Sequence, residues 1–271
     1  MIRLLTEADR TAVQQLLKRE PQLNLYLLGN LEKLGFVHEL SQFWGDFDGD
    51  DGTGELRGVI NRYMTGWAIY GRPDADWAGL AQVLDRHSLP AERLQDNPGG
   101  TPSLLPFLQR YEMAKIVVEE LMELGEGALR PVAPRPGVTI RRATMNDADA
   151  LIAFYADADE MTRTPAGVIR PIQDTRIWFA AEGDNILSAA LTNAETAEYA
   201  MIGGVYTKPA ARGRALSQAV CTALCQDLIA SGRQPVLYWG NAAAGAVYRK
   251  LGFRAIGHWR AVWLRPQNRD Q

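Results

Sequence analysis

Apolar and polar positions alternate with two different periods across the second half of the chain. Residues 138–142 read as a strand, and Met145, Asn146 and Asp147 open a helix that reaches about residue 155. Residues 176–182 and 186–191 flank Gly183, Asp184 and Asn185 as a hairpin, and 199–207 continue as a strand. Leu216, Val220, Ala223, Leu224 and Leu228 then trace one helical face that Gly232 can close. Residues 235–239 form a short strand. Asn241 can cap the following helix, on which Ala244, Val247, Tyr248 and Leu251 fall at i, i+3, i+4 and i+7. Gly252 ends that helix and Phe253 begins a further strand. Pro165, Gly167 and Pro171 interrupt residues 160–172, which are expected to be a loop with short helical turns at most. His258, in Gly-His-Trp, is expected where the last two strands turn.

The first half has a similar order. A strand over the first residues is followed by a helix from about Thr6, with Val13, Leu16 and Leu17 facing inward. A second helix is stopped by Gly35. Strands are expected over 42–47, 55–63 and 66–70, and a helix over 74–87. No residue-level repeat is evident between the halves. The Pro- and Gly-bearing segment between them has neither period and reads as a linker. The expected domains are therefore 1–125, a linker at 126–137, and 138–271. The acidic run from Asp46 to Gly52 misses calcium-loop spacing, because Asp51 stands at the turn-glycine position and Arg57 at the final ligand position. A solvated hairpin is expected there, and no metal site.

Composition narrows the function. The formal charge of -3 argues against a dedicated nucleic-acid surface. No apolar run is long enough for a membrane span, and the early acidic residues do not resemble a secretion signal, so a cytoplasmic protein is expected. Cys221 and Cys225 lie four apart on one helix, which suits two buried thiols better than a disulfide or a metal site.

The chemistry centres on Arg212, Gly213, Arg214 and Ala215, which open a helix. Its first N–H groups lack intrahelical partners, so such a terminus can receive phosphate. An ordinary surface cap reads equally well from this turn alone. Together with Thr207-Lys208-Pro209, Leu216-Ser217, and Asn241 through Tyr248-Arg249-Lys250-Leu251-Gly252-Phe253, it resembles the GCN5-related N-acetyltransferase (GNAT) family, over roughly residues 138–265. The resemblance implies an α/β (α+β) fold with a mixed, splayed central sheet of the acyl-coenzyme A N-acyltransferase type. The similar element order implies that it is present twice, with a degenerate first lobe that shapes the acceptor channel. Ala215 and Ser217 stand where the family motif has glycine, or glycine or alanine.

The resemblance further implies transfer of an acetyl or short acyl group from acetyl-coenzyme A to an amine by direct attack. Val205, Tyr206 and Thr207 would pair with the pantetheine arm. Arg212, Gly213, Arg214, Ala215, Leu216 and Ser217 would hold the diphosphate, and Asn241 the cofactor amide. Tyr248 would be the acid for the leaving thiolate, and Glu198 and Glu195 are the expected bases. Each of these residues also has a plain structural reading: Tyr248 in the core, Asn241 as a cap, the glutamates in surface ion pairs. A small-molecule amine is favoured over a protein as acceptor, and a homodimer stays open. A non-catalytic acyl-coenzyme A sensor and a structural interaction protein are the alternatives.

Overall fold

The computed structural model describes residues 1–49, 54–96 and 100–267. The far end of the acidic hairpin, 50–53, lies outside the described residues. The chain forms two compact units, one of Met1–Glu119 with His258–Gln271 and one of Glu120–Gly257.

In the first unit, β1 (Ile2–Leu4), α1 (Arg10–Leu17), α2 (Leu25–Leu34), β2 (Ser41–Phe47), β3 (Leu56–Tyr63), β4 (Gly66–Gly71), α3 (Trp77–Arg86), β5 (Arg93–Asp96) and α4 (Gly100–Leu104) follow in order. Strand β6 (Tyr111–Glu123) then carries the chain into the second unit. There β7 (Thr139–Arg142), α5 (Ala148–Ala156), α6 (Pro165–Asp174), β8 (Ile177–Glu182), β9 (Asn185–Glu195), β10 (Tyr199–Thr207), α7 (Leu216–Ala230), β11 (Gln234–Trp239) and α8 (Ala242–Leu251) follow. Strand β12 (Arg254–Pro266) returns the chain to the first unit.

The strands of the two units share one plan. β1 to β4 pair antiparallel in sequence order, and β4 pairs parallel with β5. In the second unit β7 to β10 pair antiparallel and β10 pairs parallel with β11. Both parallel pairs are short. The first runs from Gly66 opposite Arg93 to Ala68 opposite Gln95, and the second from Tyr199 opposite Gln234 to Ile202 opposite Leu237. In the second unit both strands continue beyond Ile202 and Leu237 without pairing, so its mixed sheet has a splay there. The sixth strands are exchanged. β5 is flanked by β12, from the end of the chain, with Val262 opposite Leu94. β11 is flanked by β6, from before the second unit, with Leu237 opposite Met122.

This arrangement moves the expected domain limits. β6 crosses between the units at 119/120 and β12 crosses back at 257/258. Residues 126–137 carry no strand or helix, yet they are not free. The Arg130 N–H donates to the Leu251 carbonyl at 2.9 Å, and the Val132 N–H to Thr222 Oγ1 at 3.1 Å. Two further expectations are corrected. Residues 165–174 are a helix, because Pro165 occupies its first position, where no intrahelical donor is needed, and Thr164 Oγ1 accepts from the Gly167 N–H at 3.1 Å. Pro171 lies only three residues before the helix end, so little helix follows the lost bond. There is no turn at His258, which is an exposed residue within the continuous 13-residue β12.

A repeat hidden in the sequence emerges at the start of each unit. Ile2, Arg3, Thr6 and Asp9 match Ile140, Arg141, Thr144 and Asp147. In each, the carboxylate accepts both Arg nitrogens and the Thr N–H, forming a capping box. In each, the guanidinium also lies over a phenylalanine ring, Phe47 at 4.2 Å and Phe179 at 4.5 Å. The Arg hydrogen bonds hold both Asp9 and Asp147 down at about 2. Their folded pKa values lie below the ordinary aspartate value near 4. The stabilisation is therefore complete above about pH 4 and is lost as pH falls towards 2. Asp147→Asn is expected to cost on the order of 1–2 kcal/mol at pH 7, the lower end reflecting the half-exposed Arg141. Urea titrations of parent and variant should converge by about pH 2–3; an equal gap at pH 7 and pH 2 would contradict the latch.

Candidate active site

In the second unit, two apolar clusters cover the two faces of the sheet. One packs α7 and α8 through Val220, Leu224, Leu228, Tyr248 and Leu251. The other packs α5 and α6 through Leu151, Phe154, Tyr155 and Val168. A cavity of about 640 Å³ opens at the splay.

One wall is β10 after its pairing with β11 has ended. Val205, Tyr206 and Thr207 line the cavity. Just before them the register of β10 on β9 slips between Gly203 and Tyr206, and Gly204 takes φ +57°. This bulge is why two glycines stand here: a Cβ at Gly203 would lie 2.1 Å from Asn193 Nδ2. The Tyr155 hydroxyl fixes the bulge by donating to the Gly204 carbonyl at 2.7 Å.

The second wall is the turn into α7. Gly213 and Ala215 both have positive φ, +76° and +59°, so the chain doubles back before Leu216. No side chain caps α7 among the described residues. The left-handed alanine costs about 1 kcal/mol or more. It leaves first-turn N–H groups of α7 beside the cavity, which Ala215, Leu216 and Ser217 line. Arg212 also lines it, with its Nε donating to the Thr207 carbonyl at 3.2 Å and an exposed ion pair to Asp159 at 3.6 Å. Arg214, expected beside it, does not line the cavity and pairs with Glu182.

The third wall is α8. Asn241 lines the cavity and also caps the helix, its Oδ1 accepting from the Ala244 N–H at 2.9 Å. Gly245 lets α8 approach Trp239, whose ring would be 2.4 Å from a Cβ there. Tyr248 lines the cavity and is otherwise buried against Phe253. Burial pushes its phenol far above the ordinary tyrosine range, with Cys221 and Cys225 adding to the effect, so Tyr248 stays protonated at neutral pH. Both cysteines are buried. Burial raises Cys221 to about 12 and also raises Cys225, which makes them unreactive packing groups.

The expected bases are placed elsewhere. Glu195 accepts a two-point hydrogen bond from Arg176, both contacts 2.9 Å, one from Thr192 Oγ1, and an ion pair from Arg233. Glu198 precedes β10, at the end remote from the bulge and roughly 20 Å along the strand from Val205. Neither lines the cavity. The carboxylates that do are Asp159 and Glu160, in the turn between α5 and α6. Nothing in the local sequence distinguishes them; only the fold brings that turn to the splay.

Among the described residues of the first unit, no matching cradle is formed. Its corresponding helix, α3, is capped by Asp76, which accepts from the Gly79 N–H at 2.8 Å, while the Asp76 N–H donates to buried Asp46. Carboxylates thus occupy the place of an anion. The Trp77 ring fills the space beside Gly71, 2.9 Å from where a Cβ would stand.

Comparison with known proteins agrees with this geometry. Residues 183–264 match the model of the FR47-like protein family. An uncharacterized N-acetyltransferase in the mutA 5′ region of Streptomyces virginiae is 30% identical over 112 residues, which is 41% of this chain and 47% of that protein. The match thus spans under half of that relative's length. A GCN5-related N-acetyltransferase from Sphaerobacter thermophilus superposes with a TM-score of 0.68 at 20% identity, covering 98% of this chain and 95% of its own. A tandem GNAT protein from the clavulanic acid biosynthesis pathway superposes with a TM-score of 0.60 at 13% identity, covering 100% and 99%. The chain has the fold of the GCN5-related N-acetyltransferases. Among the described residues no helix is long and apolar enough to cross a membrane, and no group of His, Cys, Asp or Glu could hold a metal ion.

Proposed function

We propose that the second unit transfers an acetyl or short acyl group from acyl-coenzyme A to an amine. One observation carries this reading: a single cavity brings together the uncapped, left-handed entry to α7, the unpaired end of β10 and the phenol of Tyr248. The residues fit the cofactor. The α7 entry offers N–H donors and a positive helix end to a diphosphate, with Arg212 beside it. Ala215 and Ser217 are small enough to leave that entry open. Backbone groups of Val205, Tyr206 and Thr207 offer strand-like hydrogen bonds to an extended chain, and Asn241 offers its amide.

When bound, the cofactor supplies an activated thioester. A backbone N–H near Val205 or Tyr206 stabilises negative charge growing on the carbonyl oxygen. Tyr248 holds a proton for the departing sulfur. Because burial raises its own pKa so far, a strong hydrogen bond to the thiolate accounts for its role better than early proton release. An amine is protonated at pH 7 and must lose that proton before attack. Glu160, which lines the cavity and has no ion pair among the described residues, can accept it directly or through water.

Calorimetry with acetyl-coenzyme A, together with thiol release in the presence of a panel of amines, tests the proposal. Binding and amine-dependent release are expected. Binding without release for any amine would favour the sensor, and no binding across salt and pH would favour a structural role.

A further inference from the structure

We propose that Arg163, helped by Asn193, recognises a carboxylate on the acceptor, so that the substrate is a small amine bearing a nearby carboxylate. This inference rests on the transferase reading and specifies its acceptor.

A Cβ on Gly204 would stand 3.0 Å from both Nε and Nη2 of Arg163, so the guanidinium lies directly against the backbone that precedes Val205. Asn193 lies against Gly203 in the same way. The two side chains meet: Arg163 Nη2 donates to Asn193 Oδ1 at 3.0 Å. That is the guanidinium's one hydrogen bond among the described residues. Its Nε is buried without a partner, and no carboxylate lies within ion-pair distance. The guanidinium carbon lies over the Tyr155 ring, 5.9 Å from its centre.

Three other sheltered arginines have carboxylate or carbonyl partners, although Arg62 also keeps a buried Nε without one. Arg176 is held by Glu195 and Asp227, and Arg57 by buried Asp46. Arg62, deeply buried, donates to the carbonyls of Met64 and Glu39. Arg163 alone among these has neither a carboxylate nor a backbone carbonyl. A half-buried cation without a counterion is costly, and a planar guanidinium is matched best by a carboxylate taken two-pronged. Asp157, Asp159 and Glu160 lie in the same loop but leave it unpaired.

The position sets the substrate class. Arg163 touches Gly204, one residue before the cavity-lining Val205. Adjacent residues are about 3.8 Å apart. An amine at the transfer point and a carboxylate on Arg163 would then stand only a few bonds apart, as in an amino acid. Arg163 does not line the cavity that holds the α7 entry, which separates this contact from the cofactor's phosphates.

The test uses the full chain. Free amino acids are compared with their amides as acceptors for acetyl-coenzyme A, following thiol release, in the parent, Arg163→Gln and Arg163→Lys. The carboxylates should be preferred by about ten- to a hundredfold in kcat/KM, as expected for hydrogen bonds to a charged group. Arg163→Gln should abolish that preference mainly through KM, and Arg163→Lys should keep part of it. Acetyl-coenzyme A affinity, measured by calorimetry, should stay within about twofold of the parent, an allowance equal to roughly 0.4 kcal/mol. If no amine is acetylated, calorimetry of the same amino acids with the coenzyme A-loaded protein replaces turnover. Equal use or binding of amides, no use or binding of any amino acid, or a loss of acetyl-coenzyme A affinity in Arg163→Gln would overturn the proposal. Failure of the parent to bind acetyl-coenzyme A would instead remove the transferase reading on which it rests.

Discussion

Tyr248→Phe is expected to lower turnover by about ten- to a thousandfold while leaving acetyl-coenzyme A affinity nearly unchanged. The ring stays in the apolar cluster against Phe253, so the change removes a hydroxyl and little packing. What is lost is a proton donor that burial keeps protonated beside the cavity. The pH dependence is part of the expectation. Because the Tyr248 pKa is raised far above neutral, its ionisation should produce no falling limb in the parent's rate below about pH 9, since the ordinary tyrosine value is near 10. Single-turnover rates separate chemistry from product release. An unchanged single-turnover rate would assign Tyr248 to packing.

The second large effect is expected from Ser217→Asp. Ser217 is the second residue of α7, at the uncapped end that lines the cavity. A carboxylate there favours the helix, because it faces the positive end of the dipole, and should leave the melting temperature equal or slightly higher. The same charge repels a diphosphate. At about 4–5 Å and an effective dielectric of about 20, the repulsion is roughly 3–4 kcal/mol, a loss of a hundredfold or more in affinity. A more stable protein that no longer binds acetyl-coenzyme A separates folding from function in one variant. Retained affinity in calorimetry would move the diphosphate away from the α7 entry.

The legibility of the sequence differed between backbone and side chains. Strand β10 and the α8 face were readable because their periodicities are clean and Gly252 marks the stop. The α7 entry was readable because Arg212, Gly213 and small Ala215 sit together in the chain. Helix α6 was not, since Pro165 and Pro171 look like breakers until their positions at the start and near the end of the helix are known. The setting of Glu195 was not legible for a related reason: its nearness to β10 in the chain does not show which end of the sheet is open. Its ion pairs with Arg176 and Arg233 come from distant segments. Arg163 and Glu160 reach the splay from a loop with no periodic signal. The repeated opening of the two units went unseen because it rests on four positions in each half, held together by hydrogen bonds more than by apolar pattern.

The exchanged sixth strands have a consequence for anyone dividing this protein. A cut within residues 126–137 falls between regular elements and looks harmless. The leading fragment would carry away β6, whose end flanks β11, while the trailing fragment would keep β12, whose end flanks β5. Each fragment would expose a bare sheet edge, the usual starting point for aggregation. Residues 138–271 expressed alone should therefore be insoluble or poorly folded even though they contain every cavity-lining residue. The same two fragments produced together should rescue each other, because each supplies the strand that the other lacks.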